Sequence, residues 1–312
     1  MAQFQKNPTD TDVRLDPANG RLTLMLEERA KIDLWGGGPR GEQLMVDIVD
    51  LSVADVASLA RGADANLCSI QIQGLASGET KLEARLLLQT PSDAAARRAQ
   101  WLAAPVWASI KVSVLGNAYR QSGPRWGNLI YGSTNPRWKD VKWTTMAYSG
   151  CGPTSLAIVM DYLIRLDAAK DGPVGPVSFR GTDPVEAMTF TSKFGRAADG
   201  AGLPSGTSGP TMVNNIGQYW PGYAGTKLAT IDEATRLLRD GNPLLFLCHN
   251  CTTRKMVHGK SLSHTFPGHF MVLVGVEHDE KTYWIVDPSA GNYKYIDRKQ
   301  LDKTEIWHIY KQ

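Results

Sequence analysis

Gly150-Cys151-Gly152-Pro153, followed by Thr154-Ser155-Leu156-Ala157-Ile158-Val159-Met160-Asp161-Tyr162-Leu163, decides how this 312-residue chain is read. The apolar run is too long and too continuous for a half-exposed helix, so the stretch predicts a buried helix from Cys151 to about Leu166. Pro153 suits a first helical turn, where a missing N–H costs nothing. The cysteine therefore stands at a helix mouth, where unpaired backbone N–H groups and the positive dipole end favour a thiolate. Gly150 and Gly152 read as room for a substrate backbone to approach the sulfur. A buried core thiol is the competing account.

A cysteine nucleophile needs a base, and the base needs an orienting group. Of the six histidines, His269 is best placed. It follows Pro267-Gly268 and opens the strand-like run Phe270-Met271-Val272-Leu273-Val274-Gly275-Val276. The next such run, Tyr283-Trp284-Ile285-Val286, ends at Asp287-Pro288. A turn at His278-Asp279-Glu280-Lys281 folds the two into a hairpin with a pairing axis near residue 279, which sets His269 opposite positions 287 to 290. Asp287 falls beside His269 by that register.

Outward from this core, the chain has two grammars. From Arg21 to Leu115 short alternating runs predict strands at Arg21–Glu28, Ala30–Gly36, Gln43–Asp50, Cys68–Leu75, Glu79–Leu88 and Ala108–Leu115, with a helical turn between Pro91 and Trp107. Many short strands at this spacing suggest an antiparallel sandwich. The expected organisation is a flexible N-terminus over 1–20, an all-β sandwich over 21–117, and an α+β domain over 118–312. A Gly-, Asn-, Pro- and Trp-rich stretch, Gly116 to Trp143, leads into that last domain. After the buried helix come a Gly/Pro loop (171–181), helices at Asp183–Phe194, Gly209–Trp220 and Ile231–Asp240, and strands at Pro243–Cys248, His269–Glu277, Thr282–Asp287, Lys294–Ile296 and Ile306–Tyr310.

Composition excludes several classes. With 42% hydrophobic and 21% charged residues and a net charge of +3, the chain has neither the basic runs of a nucleic-acid binder nor an apolar stretch near the ~20 residues of a membrane span. Met1 to Pro17 lacks the apolar core of a secretory signal. Four cysteines do not make a disulfide framework at this length, and the expectation is synthesis in a reducing cytoplasm, with any export left to dedicated machinery. Cys248, Cys251, His258 and His264 carry metal-ligand types, with a redox pair as the competing reading and no metal as the preferred one. No cofactor is called for.

Three blocks carry a family resemblance: Ser149-Gly-Cys-Gly-Pro-Thr-Ser-Leu-Ala157, Pro267-Gly-His-Phe-Met-Val-Leu-Val-Gly275 and Ile285-Val-Asp-Pro-Ser289. In this order, residues from about Tyr131 to Tyr310 resemble papain-like cysteine peptidases related to the double-glycine leader peptidases of bacteriocin exporters. The N-terminal half resembles bacterial immunoglobulin-like modules by pattern alone. The peptidase resemblance implies a papain-like fold, with Cys151 as nucleophile, His269 as base and acid, and Asp287 as the orienting residue. It also implies a glutamine ahead of the cysteine, in a Gln-x-x-Pro-x-Trp context, as an oxyanion donor. Gly132-Ser133-Thr134-Asn135-Pro136-Arg137-Trp138 has that spacing with Ser133 at the matching place, and no glutamine lies between Gln121 and Cys151. Ser133 or Asn135 is then the expected second donor. The expected activity is hydrolysis of a peptide or isopeptide amide, as an interbacterial toxin effector with a secretion machine or an immunity protein as partner, or as a cell-wall peptide amidase. A peptide-binding module without chemistry is the reading from another class.

Overall fold

A computed structural model describes residues 3–6, 14–16, 21–24, 29–35, 43–49, 54–61, 67–75, 78–87, 93–114, 117–132, 144–168, 182–198, 204–257, 260–277, 279–290 and 292–312. These fall into two compact units, one within Met1–Leu115, the other within Gly116–Ala168 and Arg180–Gln312.

The first unit is built of strands β1 (Gln3–Lys6), β2 (Arg14–Asp16), β3 (Arg21–Leu24), β4 (Arg29–Trp35), β5 (Gln43–Ile48), β6 (Ala54–Arg61), β7 (Leu67–Gly74), β8 (Gly78–Leu87) and β9 (Val106–Val114), with helix α1 (Ala94–Ala103) before β9. One sheet runs β1-β4-β7-β6 and the other β2-β3-β9-β8-β5, with β3 parallel to β9. Ile32, Leu34, Ile70 and Ile72 of the first sheet join Leu22, Leu24, Leu82, Val112 and Val114 of the second in one apolar cluster. The alternation of Ser69-Ile70-Gln71-Ile72-Gln73 delivers this directly, since every second residue of a strand turns to one face. Two corrections apply. β1 and β2 lie in the stretch expected to be flexible, where they pair with β4 and β3. β6, which pairs with β7, was not expected.

The second unit is α+β. Helix α2 (Met146–Ser149) ends at Gly150 and α3 (Cys151–Ala168) starts at once; its residues from Gly152 to Tyr162 are all buried. There follow α4 (Pro184–Phe194), β10 (Arg196–Ala198), β11 (Pro204–Thr207), α5 (Gly209–Asn214), α6 (Ile216–Tyr219), β12 (Tyr223–Lys227), α7 (Ile231–Arg239), β13 (Leu244–Cys248), β14 (Cys251–Val257), β15 (Lys260–Phe266), β16 (His269–Val276), β17 (Thr282–Asp287), β18 (Asn292–Asp297), α8 (Arg298–Leu301) and β19 (Thr304–Lys311). Helix starts carry local reasons. Asp183 caps α4 through Val185 and Glu186 N–H with Pro184 in the first turn, and Thr230 caps α7, whose first turn is acidic and last turn basic.

Eight strands form one sheet in the order β12-β19-β13-β16-β17-β18-β14-β15. Every residue of β16 is buried, because α7 and α3 both pack on this strand. A strand covered on both faces reads as a continuous apolar run, which is how it appears in the sequence. The β16–β17 ladder pairs Val272 with Val286 and Leu273 with Ile285, centred near residue 279, with a bulge before Gly275. The segment Gly209–Trp220, expected as one helix, is two, interrupted at Asn215. β14 and β15, in the stretch between Cys248 and His269 where no strand was expected, form a regular hairpin from Cys251↔Phe266 to Val257↔Lys260. The expected loop 171–181 lies outside the described residues.

Candidate active site

Cys151 opens α3 and is half-buried. The two glycines beside it have a different use from the one their sequence suggests. A Cβ on Gly152 would meet Thr207 Oγ1 at 2.3 Å, and one on Gly150 would meet the Met146 carbonyl oxygen at 2.4 Å. Both are needed for the close packing of α3 against β11 and of the α2–α3 junction, so the room they leave is filled by the protein itself. Thr207 Oγ1 also shares a hydrogen bond with the buried Tyr131 hydroxyl, 2.8 Å away. Further along α3, the buried Asp161 carboxylate accepts from Arg165 Nε at 2.8 Å and from the Asn117 backbone and amide nitrogens, each at 2.9 Å. The lead-in segment is thereby tied to the middle of the helix.

The sheet supplies the other half. His269, first residue of β16, is 2.8 Å from Asp287 through Nε2 and Oδ1. Asp287, last residue of β17, is fully buried. Its Oδ1 also accepts the Ser289 N–H at 2.8 Å, and its Oδ2 accepts from Lys294 Nζ at 2.5 Å. Phe266 stacks on the imidazole with ring centroids 4.4 Å apart and planes 17° apart. Since Nε2 faces Asp287, Nδ1 is the ring nitrogen left to face the sulfur, with which His269 is hydrogen-bonded.

The electrostatics follow from these contacts. Burial alone would push the Cys151 thiol up. The His269 hydrogen bond and charge, with backbone hydrogen bonds from Phe270 and Gly152, outweigh burial and bring it below the usual thiol value. Burial would likewise lower His269, but Asp287 and the sulfur hold its proton and push it up to about 9. Burial would raise Asp287; His269 and Lys294 together hold it far below the carboxylate range. A thiolate facing an imidazolium, with a carboxylate behind, is the charge state these shifts favour.

The structure brings Cys151, His269 and Asp287 together. Ser133 and Asn135 lie outside the described residues. Sequence reasoning missed Gln121. It is buried, its N–H donates to the Pro288 carbonyl at 2.8 Å, and its Nε2 donates to the Ala147 carbonyl at 2.7 Å, one helical turn before Cys151. The signal was there: Gln121-Ser122-Gly123-Pro124-Arg125-Trp126 is a complete Gln-x-x-Pro-x-Trp, whereas the stretch at 132–138 lacks the glutamine. Trp126, clustered with Tyr131 and Met146 and with Tyr119 packed against them, anchors this segment with Nε1 donating to the Arg120 carbonyl at 2.6 Å.

The metal alternative is corrected. Cys248 and Cys251 are joined in a disulfide, so neither sulfur is a free thiolate ligand. His264 is exposed on β15, His258 lies outside the described residues, and among the described residues no cluster of three metal-ligating side chains occurs. Among the same residues no helix is long and apolar enough to cross a membrane.

A helix opening on a cysteine, packed on an antiparallel sheet that presents a histidine and an aspartate to it, defines the class of cysteine peptidases. The chain belongs to the Peptidase_C39 like family, whose model matches residues 136–312, and that stretch is a C39-type cysteine peptidase domain. No curated protein matches the chain. Among solved structures, domains 4 and 5 of the S-layer protein SbsC match at 14% identity over 35% of this chain and 46% of that one, with a TM-score of 0.20. The cysteine protease inhibitor EhICP2 from Entamoeba histolytica matches at 15% identity over 33% of this chain and 92% of that one, with a TM-score of 0.23. The chain thus spans under half of the SbsC fragment, and scores this low carry no argument about fold.

Proposed function

We propose that the chain hydrolyses peptide or isopeptide amides through a thioester, with Cys151 as nucleophile, His269 as acid and base, and Asp287 as the residue that orients the imidazole. The observation that carries this is the continuous contact from Cys151 through His269 to Asp287, the last of them 2.8 Å long and buried. The thiolate attacks the carbonyl carbon and the C=O pair moves to oxygen. His269 gives its proton to the departing amine as the C–N bond breaks. Water, losing a proton to His269, then cleaves the thioester and frees Cys151. The developing oxyanion is held by the backbone N–H of Cys151 and by Gln121, which takes the place expected for Ser133 or Asn135. An amide nitrogen has two N–H bonds, and the Ala147 carbonyl uses one of those of Gln121.

The same proposal carries the finer readings. The second unit is taken as a papain-like domain and the first as an immunoglobulin-like sandwich for adhesion, positioning or docking, since two sheets share one apolar cluster there. A protein target, reached as an interbacterial toxin effector through a secretion machine and checked by an immunity protein, is the preferred substrate class over cell-wall peptides. A binding module without chemistry is disfavoured, because a buried carboxylate with three donors costs desolvation that passive binding does not need.

Protein and muropeptide mixtures incubated with the full chain and read by mass spectrometry test both levels. New cleavages that vanish in Cys151→Ala and His269→Ala support the hydrolase, and the mixture that yields them names the substrate class. Cleavage that survives Cys151→Ala overturns the assignment.

A further inference from the structure

The contact least expected around the site is a lysine. Lys294 lies at the third position of β18, opposite Ile285 of β17, and its side chain is only 13% exposed. Its Nζ sits 2.5 Å from Asp287 Oδ2 and 5.1 Å from the centroid of the Phe266 ring, the ring that covers His269. Burying an ammonium is costly unless it is paired. Here it is paired on one side with the carboxylate and faces an aromatic ring on the other. By occupying Oδ2 it leaves Oδ1, the oxygen that also accepts Ser289 N–H, as the one His269 meets.

We propose that Lys294 is a positioning residue: it clamps Asp287 in the orientation that meets His269 and supplies a positive charge that sets the pH range over which Cys151 and His269 stand as a thiolate–imidazolium pair. This rests on the hydrolase reading above. The charge count explains why. Thiolate, imidazolium, carboxylate and ammonium sum to zero in a buried cluster, whereas without Lys294 the same cluster carries one net negative charge and binds protons more readily. Every proton held by Cys151 and His269 then comes off at higher pH. With an effective dielectric near 20, one charge several Å away moves such ionisations by ~1 pH unit.

The other charged neighbours stay constant in this comparison. Arg196 of β10 faces Cys151 from the side of Tyr131, over whose ring it lies 4.0 Å away. Arg254 of β14 is engaged by Asp297 and by the Tyr295 ring. His264 of β15 meets Phe266 edge-on with centroids 4.4 Å apart.

The test is the pH profile of iodoacetamide alkylation at Cys151, followed by peptide mass spectrometry on the full-length protein, which needs no known substrate. Lys294→Met is expected to move both limbs of the profile up by ~1 unit, and Lys294→Arg to restore the wild-type limbs. Lys294→Gln keeps a donor for Asp287 without the charge; limbs that shift as in the methionine variant assign the effect to charge. Should Lys294→Met fold poorly by circular dichroism, the glutamine and arginine variants decide alone. Limbs unmoved in folded Lys294→Gln overturn the proposal. Cys151 that never alkylates faster than a free thiol in the wild type overturns the hydrolase reading instead, so the two failures are distinct.

Discussion

The two sides of the site are held by different physics. On the helix side, Cys151 is fixed by steric closeness: Gly152 lies against Thr207, Gly150 against the Met146 carbonyl, and the rest of α3 is buried to Tyr162. Charge enters at Arg196, which faces Cys151 from the side of Tyr131, and further along at Asp161. On the sheet side, His269 is fixed by charge, through Asp287 and Lys294, and by one stacked ring. Gln121 spans both, with its backbone on Pro288 and its amide on Ala147. The comparison teaches which perturbation each side answers to. The packing of the helix side should respond to added volume, with Cys151 as its pH-sensitive group, and the hold on His269 from the sheet side should respond to charge and pH.

The largest effect is expected at the residue that joins the sides. Gln121→Ala removes the proposed oxyanion donor while leaving the thiolate and its base in place. Turnover of any substrate found by the incubation above should fall by ~10²–10³, the usual cost of one such donor, with alkylation of Cys151 changed by less than about threefold. Equal losses in turnover and alkylation would instead make Gln121 a structural brace and move it wholly to the helix side.

Next comes volume. Gly152→Ala places a methyl group 2.3 Å from Thr207 Oγ1, a contact the packed junction cannot absorb without moving. Urea denaturation should show a loss of ~1–3 kcal/mol, in the range for overpacking. Adding Thr207→Gly, which removes the obstructing side chain, should recover more of that loss than the two single variants predict by addition. Strict additivity would break the claim that this contact sets the position of Cys151.

How much of this was legible follows from the same contrast. The buried helix and the β16–β17 hairpin could be read because both are continuous apolar runs ended by punctuation: Gly150 and Pro153 at one, His269 and Asp287-Pro288 at the other. A register axis near residue 279 is fixed by chain length alone, so the neighbourhood of His269 followed from counting. The β14–β15 hairpin was not legible, since Thr252, Arg254 and Lys255 give no alternation and residues 261–265 are exposed on both faces. Lys294 was invisible for a related reason: a lysine on a strand reads as solvent-facing, and only the fold shows the carboxylate it reaches. Gln121 was missed because two Pro-Arg-Trp stretches precede Cys151, at 124–126 and 136–138, and nothing in their spacing reveals that the Gln121 N–H returns to the Pro288 carbonyl. The glycines were misread because sequence shows a missing side chain but not what fills its place.

The subtlest effect sets the two sides against each other through pH. His269 takes up a proton on folding, because its affinity rises from an ordinary 6.5 to about 9; that contribution is complete below pH 6.5 and is lost as pH rises through about 9. Cys151 gives a proton up on folding, because its thiol falls below the usual value; that contribution is present above the unfolded thiol range near 8.5 and is lost as pH falls. Between about 6.5 and 8.5 the unfolded chain holds one proton on the thiol and the folded chain holds one on the imidazole, so the slopes cancel. Stability from urea titrations should therefore be flat across that window as far as this pair is concerned. It should fall just above it, where the unfolded thiol loses its proton while the folded imidazolium keeps its own up to about pH 9, and below it as the unfolded histidine gains a proton that the folded pair has no place for. Alkylation should stay fast through the plateau and change above about pH 9, where the imidazolium partner is lost. In Cys151→Ala only the histidine term is left, and the plateau should tilt toward lower stability at high pH. A wild-type stability that already tilts this way between pH 6.5 and 8.5 would mean the thiol keeps its proton on folding, and the helix side would then hold an ordinary cysteine.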